Sequence, residues 1–176
     1  MPYLSALPAA ATMLDVYRLD MDLARPLLRI QQHVMRGASP LSVPERELIA
    51  AYVSSLNACR FCYGVHSEVA KRFGVAEERL AALAAQGPSE ARDGRLAALL
   101  RYCAKLAQTP GRMTADDAQA VKQAGWDDAA LFHAVLVACL FSFFNRLADG
   151  LGLDAGAVDF GRVAEGLASI GYEGRL

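Results

Sequence analysis

Residues 42–74 read SVPERELIAAYVSSLNACRFCYGVHSEVAKRFG, and this stretch predicts two helices joined by a short break. Ser42 and Glu45 form a capping box, and the proline between them stands in the first turn, where its missing N–H costs nothing. We expect a first helix from there to about Leu56. Asn57 and Ala58 form the short break, and the Asn57 side chain is suited to capping the next helix.

The second helix carries the reactive groups. We expect it to begin at Cys59, continue to Phe73 and stop at Gly74. Residues three or four apart share a helix face, so Cys59, Cys62 and His66 lie on one side. Both thiols fall in the first turn, where unpaired N–H groups and the positive end of the helix dipole favour a thiolate. The three-residue step also lets the sulfurs approach closely enough to bond, which predicts a reactive cysteine with a resolving neighbour.

A carboxylate faces the histidine if the two helices form an antiparallel hairpin. Glu47 lies ten residues before Asn57 and His66 nine after it. At about 1.5 Å per residue, both stand roughly 14 Å from the bend. A carboxylate beside a histidine fixes its tautomer and raises its basicity. The predicted chain therefore runs from Glu47 to His66 to the thiols, because the rival carboxylate, Glu45, is already used by the capping box.

The rest of the chain carries further helix signals and no convincing strand. No stretch alternates with period two, and alanine and leucine supply most of the apolar content, as helices prefer. We expect a single all-α domain over residues 1–176, a helical bundle with a redox-active core at residues 42–74. The other expected helices cover residues 22–36, 89–108, 114–125, 127–148 and 164–170.

Charge and hydropathy argue against two classes of partner. Eighteen basic and nineteen acidic residues leave a formal charge of −1. No basic cluster is visible, although nucleic acid binding normally needs one to displace counterions. The longest apolar run, residues 131–144, is shorter than a membrane span and is typical of a buried helix. We expect neither nucleic acid nor a membrane as a partner.

Composition also bears on compartment and assembly. Asp15, Asp20 and Asp22 occupy the N-terminal region, which lacks the basic segment of a signal peptide, so we expect a cytoplasmic protein. The four cysteines are then not expected to form a structural disulfide framework. Hydrophobic residues make up 54% of the chain. Surplus apolar surface usually lies at subunit interfaces, which predicts a homo-oligomer.

The spacing of the reactive residues resembles that of a known family. The sequence has Glu47, then eleven residues, then the motif Cys59-x-x-Cys62, then three residues and His66. This pattern resembles that of the alkylhydroperoxidase D-like family within the carboxymuconolactone decarboxylase superfamily. Residues 145–149, NRLAD, resemble its peroxidase-related branch. The resemblance implies an all-α fold, a trimer-based homo-oligomer or hexamer, and an antioxidant peroxidase. The implied reaction is hydroperoxide reduction, with an external dithiol or redox protein as reductant.

The same resemblance implies a role for each residue, and we expect neither a cofactor nor a metal. Cys62 would be the peroxidatic thiolate, and Cys59 would be the proton donor and the resolving thiol that closes the disulfide. Glu47 and His66 would form the proton relay. One departure stands out, since the best-studied members have a histidine immediately before the second cysteine and this chain has Phe61. The relay thus lacks a polar member, and substrate and reductant can differ from theirs.

Other interpretations stay open. The C-x-x-C could be two small core residues, since free cysteine is often buried. It could also hold zinc with the histidine and Glu47, although structural zinc usually draws ligand pairs from two segments and no second C-x-x-C exists. A redox module could pass disulfides to a partner protein, and a lactone decarboxylase would not need the C-x-x-C. Cys103 and Cys139 have no partner at reactive spacing and are expected to serve in packing.

Overall fold

The computed structural model describes residues 1–91 and 93–175, and these contain helices and turns but no strand. The all-α prediction is therefore confirmed. Short 3-10 turns occupy Pro88–Ala91, Pro110–Arg112 and Glu173–Arg175. The helices are α1 (Met13–Tyr17), α2 (Met21–Arg36), α3 (Val43–Leu56), α4 (Arg60–Arg72), α5 (Glu77–Gln86), α6 (Gly94–Gln108), α7 (Ala115–Gln123), α8 (Asp128–Gly150) and α9 (Phe160–Ser169).

Helix α3 lies at the centre of the bundle. It begins at the predicted capping box, in which Ser42 Oγ accepts from the backbone of Glu45 and donates to its carboxylate. Every residue from Arg46 to Ser54 is buried, because α2, α4, α5, α6 and α8 all contact this helix. A helix enclosed on all sides has no face for solvated charge. A carboxylate within this buried stretch, such as that of Glu47, must find its partners inside the protein.

The turn between α3 and α4 places Cys59 at the start of α4. Ala58 has φ +57°, and the N–H of Cys59 donates to the carbonyl of Ser54 at 3.0 Å, which closes α3 with a Schellman motif. The predicted capping role of Asn57 is wrong, because Asn57 ends α3 and Cys59 itself stands at the N-cap of α4. Helix α4 therefore begins at Arg60, one residue later than predicted.

Helix α8 is the long apolar helix predicted from residue 127. Asp127 caps it by accepting from the N–H of Ala130 at 2.7 Å, and it continues to Gly150. By length and composition alone, α8 is the one helix in the described part of the chain that could cross a membrane. It packs on α2, α3, α4, α6 and α7, as a core helix does. Its most apolar stretch is nevertheless only 39% buried, so one side remains uncovered.

The observed helices differ from the predicted ones in several places. The helix predicted from residue 89 begins at Gly94, because Pro88–Ala91 forms a 3-10 turn and Asp93 then caps α6. Arg92, within that predicted helix, lies outside the described residues. The tail helix begins at Phe160 rather than 164, while α1 and α5 were not predicted. The helices predicted over 22–36 and 114–125 are present within two residues of their expected bounds.

The C-terminal part of the chain covers α4. An added Cβ at Gly64 would lie 2.3 Å from the Phe160 ring, so this glycine lets α9 pack closely on α4. Beyond α9, the N–H of Tyr172 donates to the side chain of Gln32 on α2 at 2.8 Å. The tail is thereby fixed beside the C-terminal end of α2 and next to the central carboxylate of α3.

Candidate active site

The two cysteines of the C-x-x-C stand together at the start of α4. Cys59 is the N-cap and Cys62 is the third helical residue, and both side chains are buried. The two thiol groups lie close to each other, and each influences the ionisation of its neighbour. Both cysteines are free thiols. The predicted approach of the two sulfurs is therefore present, with Cys59 itself in the capping position.

Their surroundings make the two thiols unequal. The hydrogen bond with the Cys62 side chain, burial and the charge of Cys62 raise the pKa of Cys59 far above the ordinary thiol value. The side chain of Asp149, at the end of α8, acts in the same direction. A negative charge on one sulfur disfavours a second charge beside it. The surroundings of Cys59 therefore favour its protonated form.

Cys62 borders an apolar cavity of about 50 Å³. This volume has room for a few water-sized groups. Helices α1, α2, α4, α8 and α9 contribute to its walls, and the Cys62 sulfur also approaches the carbonyl of Phe144 at 3.9 Å. The cavity wall includes Tyr17, Phe61, Val65, His66, Phe144 and Leu167.

The predicted carboxylate–histidine contact lies beside this cavity. His66 Nδ1 is 2.8 Å from Oε2 of Glu47, and the Glu47 side chain is completely buried. Burial opposes ionisation of Glu47, but the charge and hydrogen bonds of His66 and then of Arg36 outweigh it. Together they hold the Glu47 pKa below its ordinary value. An ionised Glu47 accepts the proton on Nδ1, so that in the neutral form of His66 the other ring nitrogen, Nε2, is the acceptor.

Two further side chains hold Glu47, and neither was predicted from the sequence. Arg36, the last residue of α2, donates from Nη1 to Oε1 of Glu47 at 2.6 Å. The hydroxyl of Tyr172 is 3.4 Å from the same oxygen. Burial and the charge of Glu47 raise the pKa of Tyr172 well above its usual value, so its hydroxyl is a donor here. The candidate site thus includes the end of α2 and the C-terminal tail.

A polar network fixes the turn that carries the cysteines. Asn57 donates to Oδ1 of Asn145 at 2.8 Å, and Asn145 donates to Oγ of Ser54 at 2.9 Å. Asn145 is fully buried, so these bonds satisfy its amide inside the core. They tie α8 to the α3–α4 turn. The motif at residues 145–149 therefore contributes to the site in two ways. Asn145 holds the α3–α4 turn by hydrogen bonds, and Asp149 acts on the thiol of Cys59.

The structure brings Glu47, Cys59, Cys62 and His66 into one region, and their catalytic roles stay a prediction. Sequence reasoning missed Arg36 and the other groups from distant segments, because no fixed spacing relates them to the C-x-x-C. One signal was available for Arg36. Arg36 stands directly before the glycine that ends α2, a position from which a long side chain can turn towards neighbouring elements. The sequence gives no indication of the residue that it contacts there.

The remaining cysteines differ from each other. Cys103 is buried, which confirms its predicted packing role, and burial together with the charge of Cys139 raises its pKa to about 12. Cys139 is exposed on the outer side of α8 in this chain, so its predicted core packing is wrong for the isolated chain. The sequence showed it among apolar neighbours, but could not show that this face of α8 has no covering helix.

Within residues 1–91 and 93–175, no group of three or more His, Cys, Asp and Glu side chains is arranged to hold a metal ion. Cys59, Cys62 and His66 share a face of α4, but His66 Nδ1 is already bonded to Glu47. The two cysteines are free thiols that lie close to each other at the start of α4. The zinc interpretation therefore lacks a ligand set in the described part of the chain.

Comparison with known proteins gives a family match. The model of the carboxymuconolactone decarboxylase family matches residues 22–105, which contain the C-x-x-C, its histidine and Glu47. Among curated proteins, YdfG of Bacillus subtilis (strain 168) is 25% identical over 114 residues, which are 65% of this chain and 78% of that protein.

Solved structures resemble the chain in fold. A peroxidase-related protein from Silicibacter sp. TM1040 has a TM-score of 0.77 and 23% identity, covering 81% of this chain and 74% of its own. The alkylhydroperoxidase AhpD core of a peroxidase-related protein from Ralstonia eutropha JMP134 has a TM-score of 0.76 and 19% identity, covering 81% and 75% respectively. At these identities, the likeness establishes the arrangement of helices.

Proposed function

We propose that this chain, which belongs to the carboxymuconolactone decarboxylase family and has the alkylhydroperoxidase D-like fold, reduces hydroperoxides with its Cys59–Cys62 pair. One observation carries the proposal. Cys62 borders an apolar cavity beside His66, and His66 is oriented by the buried Glu47. A thiolate, a proton carrier and a water-poor cavity are what nucleophilic attack on a hydroperoxide requires. The peroxidase-related names of the structural relatives support the same reaction.

The first step oxidises Cys62. Its thiolate attacks the distal oxygen of the hydroperoxide, so an S–O bond forms and the O–O bond breaks. The departing alkoxide takes a proton from the imidazolium of His66, which had received the proton of the Cys62 thiol. The products are an alcohol and a sulfenic acid on Cys62. Glu47 stabilises the transient charge on His66 by accepting its Nδ1 proton in a hydrogen bond.

The second step closes the disulfide. Cys59 attacks the Cys62 sulfur, the S–S bond forms, and the S–O bond breaks with loss of hydroxide. The thiol proton of Cys59 joins the hydroxide to give water, and Asp149 beside Cys59 can relay it. An external dithiol then donates two electrons and two protons by thiol–disulfide exchange, which restores both thiols.

A timed thiol count tests the proposal. The reduced protein receives one equivalent of cumene hydroperoxide, and thiols are counted against a free-cysteine control. We expect rapid loss of two of the four thiols in the wild type and none of this rapid phase in Cys62→Ser. Loss at the free-cysteine rate would contradict peroxidase activity. Disulfide exchange with a partner protein would then remain as the function of the pair.

We further propose that the uncovered side of α8 binds a second copy of the chain. Phe132 and Phe143 are 59% and 48% exposed, and Cys139 lies exposed between them. Their spacing places them in one stripe, and no charged residue interrupts the helix between Asp128 and Arg146. Light scattering should show an oligomer for the wild type.

A charge in this stripe provides the test of the assembly. Phe143→Glu should shift the scattering mass towards the monomer, whereas Ala120→Glu on the exposed side of α7 should not. A monomeric wild type would contradict the proposal.

We place the protein in the cytoplasm, where the paired thiols would be kept reduced.

A further inference from the structure

The structure assigns Arg36 to the proton relay, and we propose that it is a positioning residue. Its guanidinium supplies the counter-charge of Glu47, so that His66 stays free to take the Cys62 proton. The catalytic meaning of this inference rests on the proposed peroxidase function. Its physical content, the charge state of a buried Arg–Glu–His chain, can be tested without any peroxide.

Arg36 is held in place by contacts from several elements. Besides Glu47, it donates from Nη1 to the carbonyl of Met35 at 3.0 Å and from Nη2 to that of Leu167 on α9 at 3.3 Å. Its guanidinium lies 5.1 Å from the ring centre of Phe73 and 5.2 Å from that of Tyr172. The side chain is only 11% exposed, so its charge acts in a poorly solvated site.

Charge balance shows what Arg36 contributes. A buried carboxylate without a cation would bind a proton or would draw one onto the neighbouring imidazole. With Arg36 paired at 2.6 Å, the Arg36–Glu47 pair is neutral, and His66 need not be charged to compensate. His66 can then accept the proton of Cys62, and the resulting imidazolium and thiolate again balance each other.

The other ionisable groups around Glu47 do not replace Arg36. Arg46 is buried nearby, but its guanidinium donates to the carbonyls at the end of α2 and not to Glu47. Tyr172 remains protonated and contributes a hydrogen bond without charge. The carboxylate of Glu45 is bonded in the capping box. Arg36 is therefore the permanent cation that contacts Glu47 in the described part of the chain.

Two variants separate the charge of Arg36 from its clamping contacts. Arg36→Gln keeps amide donors but removes the charge, whereas Arg36→Lys keeps the charge but loses the planar stacking and the forked donors. The readout is the rate of Cys62 alkylation by iodoacetamide against pH, measured on the Cys62 peptide by mass spectrometry. Thermal melting checks that each variant is folded.

Removing the positive charge of Arg36 makes it harder for the group formed by Glu47, His66 and Cys62 to lose its first proton. We expect the acid limb of the alkylation profile to move up by about one pH unit in Arg36→Gln. Arg36→Lys should stay close to the wild type. A Gln profile that overlays the wild type would overturn the proposal, and so would equal shifts in both variants, since either result describes a structural clamp.

A measurement on the wild type covers the case in which Arg36→Gln does not fold. Nitrogen-15 NMR of the imidazole at pH 8 should show a single proton on His66, at Nδ1 facing Glu47, and either a doubly protonated ring or an Nε2–H tautomer would overturn the proposal. The peroxide assay is independent of both readouts. Slow thiol loss with cumene hydroperoxide would refute the proposed function, whereas the alkylation profile and the tautomer decide the role of Arg36.

Discussion

The chain contains two sets of cysteines on neighbouring helices, and their surroundings differ. Cys59 and Cys62 share one helix start, hydrogen bond to each other and stand beside a histidine. Cys103 and Cys139 lie in the middle of α6 and α8. Burial raises the pKa of Cys103 to about 12, and no relay of this kind is placed beside it within the described residues.

The comparison shows that position, more than residue type, would set thiol reactivity in this fold. A helix start offers unpaired N–H groups and the positive end of the dipole to a thiolate, whereas a position within a helix offers neither. An apolar site without compensating donors keeps a thiol protonated. The first set should therefore react rapidly with peroxide, whereas the buried Cys103 should remain inert and the exposed Cys139 should react no faster than free cysteine.

The largest effect is expected from replacing Cys62, the reactive thiol of the first set. Cys62→Ser should abolish turnover of cumene hydroperoxide with an external dithiol, because the nucleophile is lost. Cys103→Ser and Cys139→Ser should keep rates within about twofold of the wild type, since neither thiol borders the relay. A coupled assay of hydroperoxide consumption measures all three. A comparable loss in Cys103→Ser, with the fold intact, would remove the distinction between the two sets.

Replacing the resolving thiol should change the product at Cys62. In Cys59→Ser no internal disulfide can close, so the sulfenic acid on Cys62 persists and further peroxide converts it to sulfinic acid. Mass spectrometry of the Cys62 peptide should show this product after excess peroxide. The matched Cys139→Ser variant should give the disulfide instead. Unchanged disulfide formation in Cys59→Ser would mean that another thiol resolves Cys62.

The relay should contribute less than the nucleophile but still a large factor. His66→Gln should lower kcat/KM for hydroperoxide by about a hundredfold, because general acid–base catalysis typically supplies factors of this size. The control is His33→Gln, since His33 lies exposed near the end of α2 and away from the cavity. Steady-state kinetics across several peroxide concentrations gives both values. Equal, small effects in the two variants would argue against a proton relay.

The reactive set was predictable from the sequence because its geometry is local. Helical spacing relates Cys59, Cys62 and His66, and hairpin geometry places Glu47 level with His66. The contact between Glu47 and His66 at 2.8 Å agrees with that argument. Arg36 escaped prediction because its contact with Glu47 depends on how α2 packs on α3, which no local pattern encodes.

The fold shows the same division. Caps and helix-ending glycines identified most helices, including α3 from its capping box and α8 from Asp127. The short α1 was missed because five residues give too little periodicity, although it forms part of the cavity wall. The exposure of Cys139 was also missed. Apolar neighbours along a helix do not reveal which of its faces another element covers.

Packing of the reactive helix offers a test on stability. Gly64→Ala would place a methyl group 2.3 Å from the Phe160 ring and force α9 away from α4. We expect a loss of about 1–2 kcal/mol in the free energy of unfolding, as is typical of overpacking offset by a better helix former. Gly150→Ala, whose added Cβ meets open space, is the control. Chemical denaturation measures both, and equal stabilities would show that α9 adjusts freely.

The smallest expected effect concerns the turn before Cys59. Ala58 is the one non-glycine residue with positive φ in the described part of the chain, at +57°. A left-handed conformation costs a residue with a Cβ about 1–2 kcal/mol, and glycine avoids that cost but loses roughly 0.5–1 kcal/mol of backbone entropy. Ala58→Gly should therefore stabilise the protein, by up to about 1 kcal/mol in chemical denaturation.

The hydroperoxide activity of Ala58→Gly tests whether the left-handed backbone of Ala58 has a functional role. If the left-handed turn serves only to direct Cys59 into the N-cap of α4, Ala58→Gly should keep the hydroperoxide rate of the wild type while gaining stability. Ala124→Gly, at the end of α7, is the matched control, because that alanine has a helical φ of −77° and the change should cost stability. Slower disulfide closure in Ala58→Gly would instead show that the rigid alanine turn holds Cys59 against Cys62, which no turn does for Cys103.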